Sequence, residues 1–331
     1  MSVLVTGGAG YIGSHAVKLL REAGRHVVVL DNLYRGHKAA LPDDVTFYKG
    51  SLQDGDALAE LFEEEQISDV LHFAGLAYVG ESVQDPLWYY ENNLNGSLSL
   101  VSALAAAGVK KLVFSSSCAT YGEPSEVPIF ETTPQQAINP YGRTKLMVEM
   151  VLRDLVDADP EWSVTALRYF NVAGCAEDLT LGSDHDPETR VIPLAIKTAL
   201  GFRDSFTIFG DDYETPDGTC IRDYIHVDDL CHAHLLALDH LKAGEYQFFN
   251  LGIGRGFSVK EVVDSVKRVT GKELIAELGT RRPGDPPVLS ADASKIREAL
   301  GWSPKFTELD DIVKTAVDWF VAHPNGYEDE L

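Results

Sequence analysis

The first thirteen residues constrain this chain more than any other stretch. Val3-Leu4-Val5-Thr6 is a short apolar run that reads as a strand. Gly7-Gly8-Ala9-Gly10-Tyr11-Ile12-Gly13 follows without a break, and His15 to Ala23 reads as a helix. Strand, glycine turn and helix together are the context in which such glycines bind a dinucleotide. Glycine lets the backbone turn tightly and come close to a pyrophosphate, whose charge then sits on the free N–H groups of the helix N-terminus. A second apolar run, His26 to Leu30, ends in Asp31. A carboxylate there accepts from both hydroxyls of an adenosine ribose and repels a 2′-phosphate, which favours NAD over NADP. A glycine turn alone is common in proteins that bind no nucleotide; with the strand, helix and acid around it, that bland reading loses most of its weight.

Beyond Asp31 the chain alternates. Strands are expected at Val45-Tyr48, Val70-Phe73, Lys111-Ser115 and Val164-Arg168, with helices at Asp54-Gln66, Pro86-Ala107 and Tyr141-Val156. That order predicts an α/β fold of Rossmann type, a doubly wound parallel sheet whose ligands sit at the carboxyl ends of its strands. From Asn171 the character changes. Cys175 to Arg190 reads as a loop, Val191-Leu200 as a helix, and Phe206-Phe209 as extended. Arg222 to Val227 leads into a helix ending near Leu241, Phe248-Leu251 is one more strand, Ser258 and Glu261 form a capping box, and Asp310 to Ala322 is an amphipathic helix. The expected organisation is a cofactor-binding domain over residues 1–170, with segments around 222–252 crossing back to it, and a smaller α/β substrate lobe over 171–331.

The 331 residues suffice for such a core, and a net charge of −23 argues against nucleic acid and anionic membranes as partners. No apolar stretch approaches a membrane span, and the N-terminus reads as a core strand instead of a secretion signal. Cys118, Cys175, Cys220 and Cys231 are widely spaced, which points to reduced thiols in a cytoplasmic protein and no metal site.

Tyr141 and Lys145 stand at i and i+4, one turn apart on one helix face, after Asn139-Pro140, a helix-start signal. A phenol with a reference pKa of about 10 is a poor base at neutral pH, but an ammonium and a cationic nicotinamide nearby stabilise the phenolate. It can then take a proton from a sugar hydroxyl. Ser117, closing the Ser115-Ser116-Ser117 run at a strand end, can share the same oxygen. A lone Y-x-x-x-K is frequent on helix surfaces; downstream of a dinucleotide turn and a serine-tipped strand, catalysis is the better reading.

Thr6 to Gly13, Asp31, Ser117 and Tyr141-x-x-x-Lys145 resemble the extended short-chain dehydrogenase/reductase family. Finer motifs are similar to its UDP-glucose 4-epimerase branch: His72-Phe73-Ala74-Gly75, Val79-Gly80-Glu81-Ser82, Tyr89 to Asn93, Arg168-Tyr169-Phe170-Asn171, Arg222 to Val227, and Arg281-Arg282-Pro283-Gly284-Asp285. The resemblance covers nearly the whole chain. It implies tightly held, recycled NAD and interconversion of UDP-galactose and UDP-glucose. The C4 carbon is oxidised transiently, the 4-keto sugar rotates, and it is reduced again from its other face.

By the same resemblance, Tyr141, Lys145 and Ser117 are catalytic. The cofactor set is Gly7, Gly10, Tyr11, Ile12 and Gly13 at the pyrophosphate; Asp31, Asn32 and Arg35 at the ribose; and Ser51, Leu52, Phe73, Ala74, Ala77, Asn92, Ser115, Tyr141, Lys145 and Tyr169 along its length. The substrate set is Ser117, Tyr141, Asn171, Arg190, Val191, Thr207, Phe209, Arg222, Arg282, Asp285 and Leu289, with Arg222 and Arg282 on the diphosphate, to which arginine's planar fork is suited. Three positions depart from relatives: Ser51 replaces a common acid, Ala77 a lysine found in some, and Arg190-Val191 an asparagine-leucine pair, so Arg190 either adds a diphosphate contact or faces solvent. Leu289 stands at a gate where bulk excludes N-acetylated sugars, and leucine is intermediate, so that choice stays open. Dehydratase relatives place an Asp-Glu pair after the strand-end serine; Cys118 and Ala119 stand there instead and argue against dehydration. UDP-uronate enzymes and a catalytically dead NAD sensor remain alternatives. A homodimer is expected, with Pro86-Ala107 and Tyr141-Val156 pairing across a twofold axis.

Overall fold

A computed structural model describes residues 1–282 and 285–328. Seven strands form its main sheet: β1 (Ser2–Thr6), β2 (His26–Asp31), β3 (Thr46–Lys49), β4 (Ile67–His72), β5 (Lys111–Ser115), β6 (Ser163–Tyr169) and, entering from much later in the chain, Tyr246–Leu251. In space they run Tyr246–Leu251, β6, β5, β4, β1, β2, β3, all parallel. The order reverses at the β1/β4 junction, where such sheets open a crevice for a ligand.

Strand alternation sorts the core onto two faces. Val3, Val5, Val27 and Val29 point to one side, under α1 (Tyr11–Glu22) and the helix Val227–Asp239. Leu4, Val28 and Leu30 point to the other, under α2 (Gly55–Glu64) and the helices Gly96–Ala107 and Pro140–Ala158. The strands are buried on both faces, which explains their unbroken apolar runs.

The second lobe packs a separate core, among them Ile192, Phe206, Tyr224, Phe257, Ile312 and Trp319. Completing the chain in order are α3 (Val79–Gln84), α4 (Pro86–Tyr89), a π-helical turn (Tyr90–Asn95), α5 (Gly96–Ala107), α6 (Pro140–Ala158), β7 (Asn171–Ala173), α7 (Val191–Ala199), β8 (Phe206–Phe209), β9 (Ile221–His226) and α8 (Val227–Asp239). Then come β10 (Tyr246–Leu251), β11 (Gly256–Ser258), α9 (Val259–Thr270), β12 (Ala276–Gly279), β13 (Val288–Leu289), α10 (Ser294–Leu300) and α11 (Leu309–Ala322). The lobe's sheets are small: β7, β11 and β13 all pair with β9, and β8 pairs with β12.

Strand and helix ends shift by up to three residues, as at β4, which starts at Ile67, and two helices differ more. α1 begins at Tyr11, four positions before the expected start, because the turn itself winds into the helix: Gly10 is the N-cap and Ser14 N–H already reaches Gly10 O at 2.9 Å. The stretch Pro86–Ala107 is not one regular helix; the π turn at Tyr90–Asn95 interrupts it. That turn carries adjacent asparagines. Asn93 is buried and bridges Leu76 N (2.7 Å) and Leu76 O (2.9 Å), while Asn92 lines the cleft beside it. The Ser258–Glu261 capping box forms as expected.

All four cysteines are free thiols. Among the described residues, no helix is long and apolar enough to cross a membrane.

Several histidines are buried as neutral rings. Burial holds His72 down to about 3, between Thr6 Oγ1 and Ser97 Oγ, and holds His226 and His234 down to about 4. The unfolded chain protonates all three below about 6.5. Below that pH the unfolded state therefore binds more protons and folding stability falls. Asp223 opposes this by one proton, since burial raises its carboxyl to about 6. Asp31 and Asp229, also raised by burial, add to that opposition, and His185, held low by burial, adds to the histidines. The histidines prevail, so stability should fall as pH drops from about 6 to 4.5. Denaturant midpoints measured across that range check it; a flat profile contradicts the neutral burial of these rings.

Candidate active site

The turn after β1 is built around its glycines. Gly7 has φ +71°, and a Cβ there would lie 2.6 Å from Ala74 N; a Cβ on Gly13 would lie 2.1 Å from Gly7 O. Side chains are excluded at both positions, so the turn packs directly on the Phe73-Ala74 strand end, whose two N–H groups donate to Thr6 O at 3.0 Å. The first N–H groups of α1 have no carbonyl within the helix and face the opening.

Asp31 closes β2 beside this turn. Its Oδ2 accepts from Ala9 N (3.0 Å) and its Oδ1 from Leu33 N (2.8 Å). Leu33 adopts φ +59°, a strained conformation for a branched residue, at the turn where its N–H meets the carboxylate. Burial raises the Asp31 carboxyl, and the two N–H bonds oppose that rise. Asp31 itself lines the cleft.

The cleft has a volume of about 360 Å³. Every residue expected at the cofactor lines it except Ser115, which lies just behind. Some lining residues contribute differently from expectation. Tyr11 spends its hydroxyl on Gly174 O (2.6 Å), so only its main chain is available at the turn. Arg35 donates to Asp186 O (2.5 Å) and Glu81 Oε1 (2.8 Å), clamping the loop before α7 over the opening. Ser51 Oγ accepts from Gln53 N at 3.2 Å. Sequence reasoning missed Tyr78, Trp88 and His185, which also line the cleft. His185 sits in a stretch that has no pattern, and Tyr78 and Trp88 read as ordinary apolar positions.

At the inner end of the cleft lie Tyr141 and Lys145. Asn139 caps α6 by accepting from Gly142 N (2.8 Å), with Pro140 at the first helical position. Gly142 is required there: a Cβ would lie 2.4 Å from Ala119 O. Its absence lets the helix press against the Ser117–Thr120 turn and brings the Tyr141 phenol to Ser117. Burial pushes the Tyr141 phenol up to about 12, with hydrogen bonding to Ser117 pulling the other way. Burial brings Lys145 down to about 8, and Glu149 opposes that. Lys145 Nζ donates to Ser115 O at 2.7 Å, and Ser115 Oγ shares a 2.7 Å hydrogen bond with the Tyr169 hydroxyl. Ser115 thus holds two cleft residues without lining the cleft. Ser117 Oγ accepts from Ala119 N at 3.1 Å.

Among the residues expected at the substrate, Tyr141 lines this cleft and the others do not. Arg222 on β9 is nearly buried, donates to Ile221 O (2.7 Å) and pairs with Asp285. Leu289 on β13 lies opposite Arg222 in register. It packs, together with Cys118, on the cluster of Tyr121, Ile129, Phe170 and Ala291. The Arg222 charge acts on the Cys118 thiol, one residue from Ser117. Arg282 stacks on the Phe209 ring, 4.0 Å from its centroid. Thr207 and Phe209 lie on β8, and Asn171 starts β7, exposed, opposite Tyr224. Arg190 caps α7 ahead of Val191. Instead of facing solvent, its guanidinium is held by Glu188 (2.6 Å) and His185 (2.7 Å), over the Tyr11 ring. Pro283 and Gly284 of the Arg281–Asp285 motif lie outside the described residues.

This arrangement can hold a dinucleotide against a buried phenol, ammonium and hydroxyl. A family model described as the NAD dependent epimerase/dehydratase family matches residues 3–252. A UDP-glucose 4-epimerase of Lactobacillus helveticus is 50% identical over 331 residues, covering 100% of both chains. The crystal structure of a Brucella ovis UDP-glucose 4-epimerase in complex with NAD has 50% identity and a TM-score of 0.93, over 96% of this chain and 98% of that one. A Bifidobacterium longum UDP-glucose 4-epimerase in complex with NAD+ and UDP has 40% identity and a TM-score of 0.95, over 99% of this chain and 100% of that one.

Proposed function

The chain belongs to the NAD dependent epimerase/dehydratase family, and from that premise we infer that it interconverts UDP-galactose and UDP-glucose, an isomerisation at C4 without net redox change. The observation that carries this reading is the meeting of Tyr141, Lys145 and Ser117 at the inner end of the glycine-turn cleft.

NAD is the cofactor, and the cleft fits it: side chains are excluded at Gly7 and Gly13 where a pyrophosphate must approach, and Asp31 stands where a ribose diol needs an acceptor. Bound there, NAD supplies the hydride acceptor and donor that a reversible oxidation at C4 requires. Tyr141 Oη takes the proton from the sugar 4-hydroxyl and returns it to the same oxygen after the ring has turned. Ser117 Oγ shares that oxygen. Lys145, one turn along the same helix face, would favour the phenolate while it carries its charge. Arg222 and Arg282 grip the diphosphate, with Asn171 beside them, Phe209 and Thr207 at uracil and Asp285 at its ribose, so that the sugar itself stays free to rotate. Arg190 is a reserve diphosphate contact held by Glu188. Residues 1–170 serve mainly the cofactor and 171–331 mainly the UDP-sugar.

Dehydration would need an acid after Ser117. Ala119 has none, and burial pushes the Cys118 thiol up to about 12, too weak an acid for the task. Proton NMR of the purified protein with UDP-galactose and no added oxidant tests the reading. UDP-glucose formed far beyond the protein concentration supports it; a 4-keto-6-deoxy product overturns it.

Asp31→Ala removes two charge-assisted acceptors from the ribose. It should weaken NAD binding by ~2–3 kcal/mol and narrow the preference over NADP. Calorimetric titration of the two cofactors measures both effects.

The same chain pairs as a homodimer through α4–α5 and α6, whose outer faces carry exposed Leu87, Met147 and Met150. Light scattering distinguishes dimer from monomer. Four unpaired thiols suit a cytoplasmic setting.

A further inference from the structure

Behind the catalytic helix face lies a buried ion pair that the mechanism above does not use. Glu149 and Arg168 are 3% and 1% exposed. Glu149 stands one turn beyond Lys145 and two beyond Tyr141, on the same face of α6. Arg168 reaches it from β6, with Nε 3.0 Å from Oε1 and a terminal nitrogen 2.5 Å from Oε2. The same carboxylate accepts from Ser116 Oγ at 2.5 Å. Ser116 lies between Ser115, whose carbonyl receives Lys145, and Ser117, the partner of Tyr141. The other end of Arg168 donates to the Tyr121 hydroxyl (2.8 Å), which donates to Asn250 Oδ1 (2.7 Å) on β10.

We propose that Glu149, clamped by Arg168, is a positioning residue for the C4 chemistry: through Ser116 it fixes the tip of β5 against the helix face that carries Tyr141 and Lys145. One carboxylate thus joins the two elements whose spacing sets the distance between Ser117, Tyr141 and Lys145. A buried ion pair is weak evidence for stability alone, since its desolvation offsets its attraction. Here it secures a relative position of strand tip and helix that apolar packing would leave free to slide. The charge has a second effect, since it opposes the loss of the proton from Lys145. The titratable or charged groups facing Glu149 are Arg168, Tyr121, Tyr246 and Lys145; His72 faces Lys145 from β4.

The proposal rests on the epimerase reading, and its test keeps the two apart. Glu149→Gln should lower kcat per NAD-loaded site by up to about 100-fold, the scale of a small misplacement of reacting groups. KM for UDP-galactose should hold, and the alkaline limb of the kcat profile should move to lower pH as Lys145 loses its carboxylate. Ser116→Ala keeps the pair and cuts only the link to the strand tip, so it should lower kcat without moving that limb. Should Glu149→Gln not fold, the double variant Glu149→Met/Arg168→Met leaves no uncompensated charge and should show the same kcat loss and shift. Wild-type kcat and pH profile in either folded variant overturn the proposal. If the wild type itself makes no UDP-glucose, the epimerase reading fails. Absorbance titration of the NAD-loaded protein, referenced to Tyr141→Phe, then decides the role of Glu149 independently: Tyr141 ionisation moving to higher pH in Glu149→Gln supports it, and an unmoved titration refutes it.

Discussion

Tyr141→Phe should lower turnover of UDP-galactose by about 10²–10⁴-fold while NAD stays bound. The substitution removes one oxygen and little else. The Tyr141 ring packs with Leu76 and Tyr89, and the helix contact to Thr144 runs through the Tyr141 carbonyl (2.7 Å), so both survive. What disappears is the phenol proposed to shuttle the 4-hydroxyl proton. Ser117 is an unactivated hydroxyl, and Lys145 is committed to Ser115 O. The pH dependence should change with it. Burial holds the Tyr141 phenol near 12 in the chain alone. The Lys145 ammonium and a bound nicotinamide cation would both favour the phenolate, so NAD binding should bring that ionisation down. Turnover in the wild type should therefore rise with pH as the phenolate fraction grows, and the residual turnover of the variant should be flat over the same range. NMR assays of both proteins across pH decide this; a variant with a wild-type rate would remove Tyr141 as the base.

What could be read from the sequence was what local spacing encodes. Gly7, Gly10, Gly13 and Asp31 fall in a fixed order along one strand–helix–strand unit, and Tyr141 and Lys145 are one helical turn apart, so each set meets through its own backbone geometry. The parallel strands were legible because burial on both faces leaves unbroken apolar runs. What stayed hidden depends on distant chain segments meeting. β12 and β13 are four and two residues long and exist only through pairing with β8 and β9. The partnership of Glu149 with Arg168, the bond from Tyr11 to Gly174, and the loop that brings His185 over the cleft leave no periodic trace. Gly142 lay inside a motif whose tyrosine and lysine drew attention, yet its reason, the close approach of Ala119 O, is visible only in three dimensions. Arg190 illustrates the same limit: the family resemblance offered diphosphate or solvent, and the fold gave it Glu188.

The second large effect is expected at Arg222. Its guanidinium is pinned by Ile221 O and Asp285, and Leu289 stands opposite it in register, so it is aimed before any substrate arrives. A fixed, nearly buried fork loses little entropy on meeting a diphosphate and offers paired donors that lysine lacks. Arg222→Met keeps the apolar stem and removes the charge. It also strands the Asp285 carboxylate next to the diphosphate, turning an attraction into a repulsion. Truncating one partner of a desolvated charge pair costs about 2–4 kcal/mol, or roughly 30- to 1,000-fold in kcat/KM. Most of that should appear in KM for UDP-galactose, because the diphosphate is bound equally before and during the chemistry at C4. Arg222→Met combined with Asp285→Asn removes the stranded charge and should recover part of the loss. Single-variant effects that simply add would mean that Asp285 does not orient Arg222. Inhibition by free UDP supplies the control: it should weaken in parallel with KM. If KM rises while UDP inhibition is unchanged, Arg222 contacts the sugar, and the diphosphate grip must be sought at Arg282, over the Phe209 ring, or at Arg190 once Glu188 releases it.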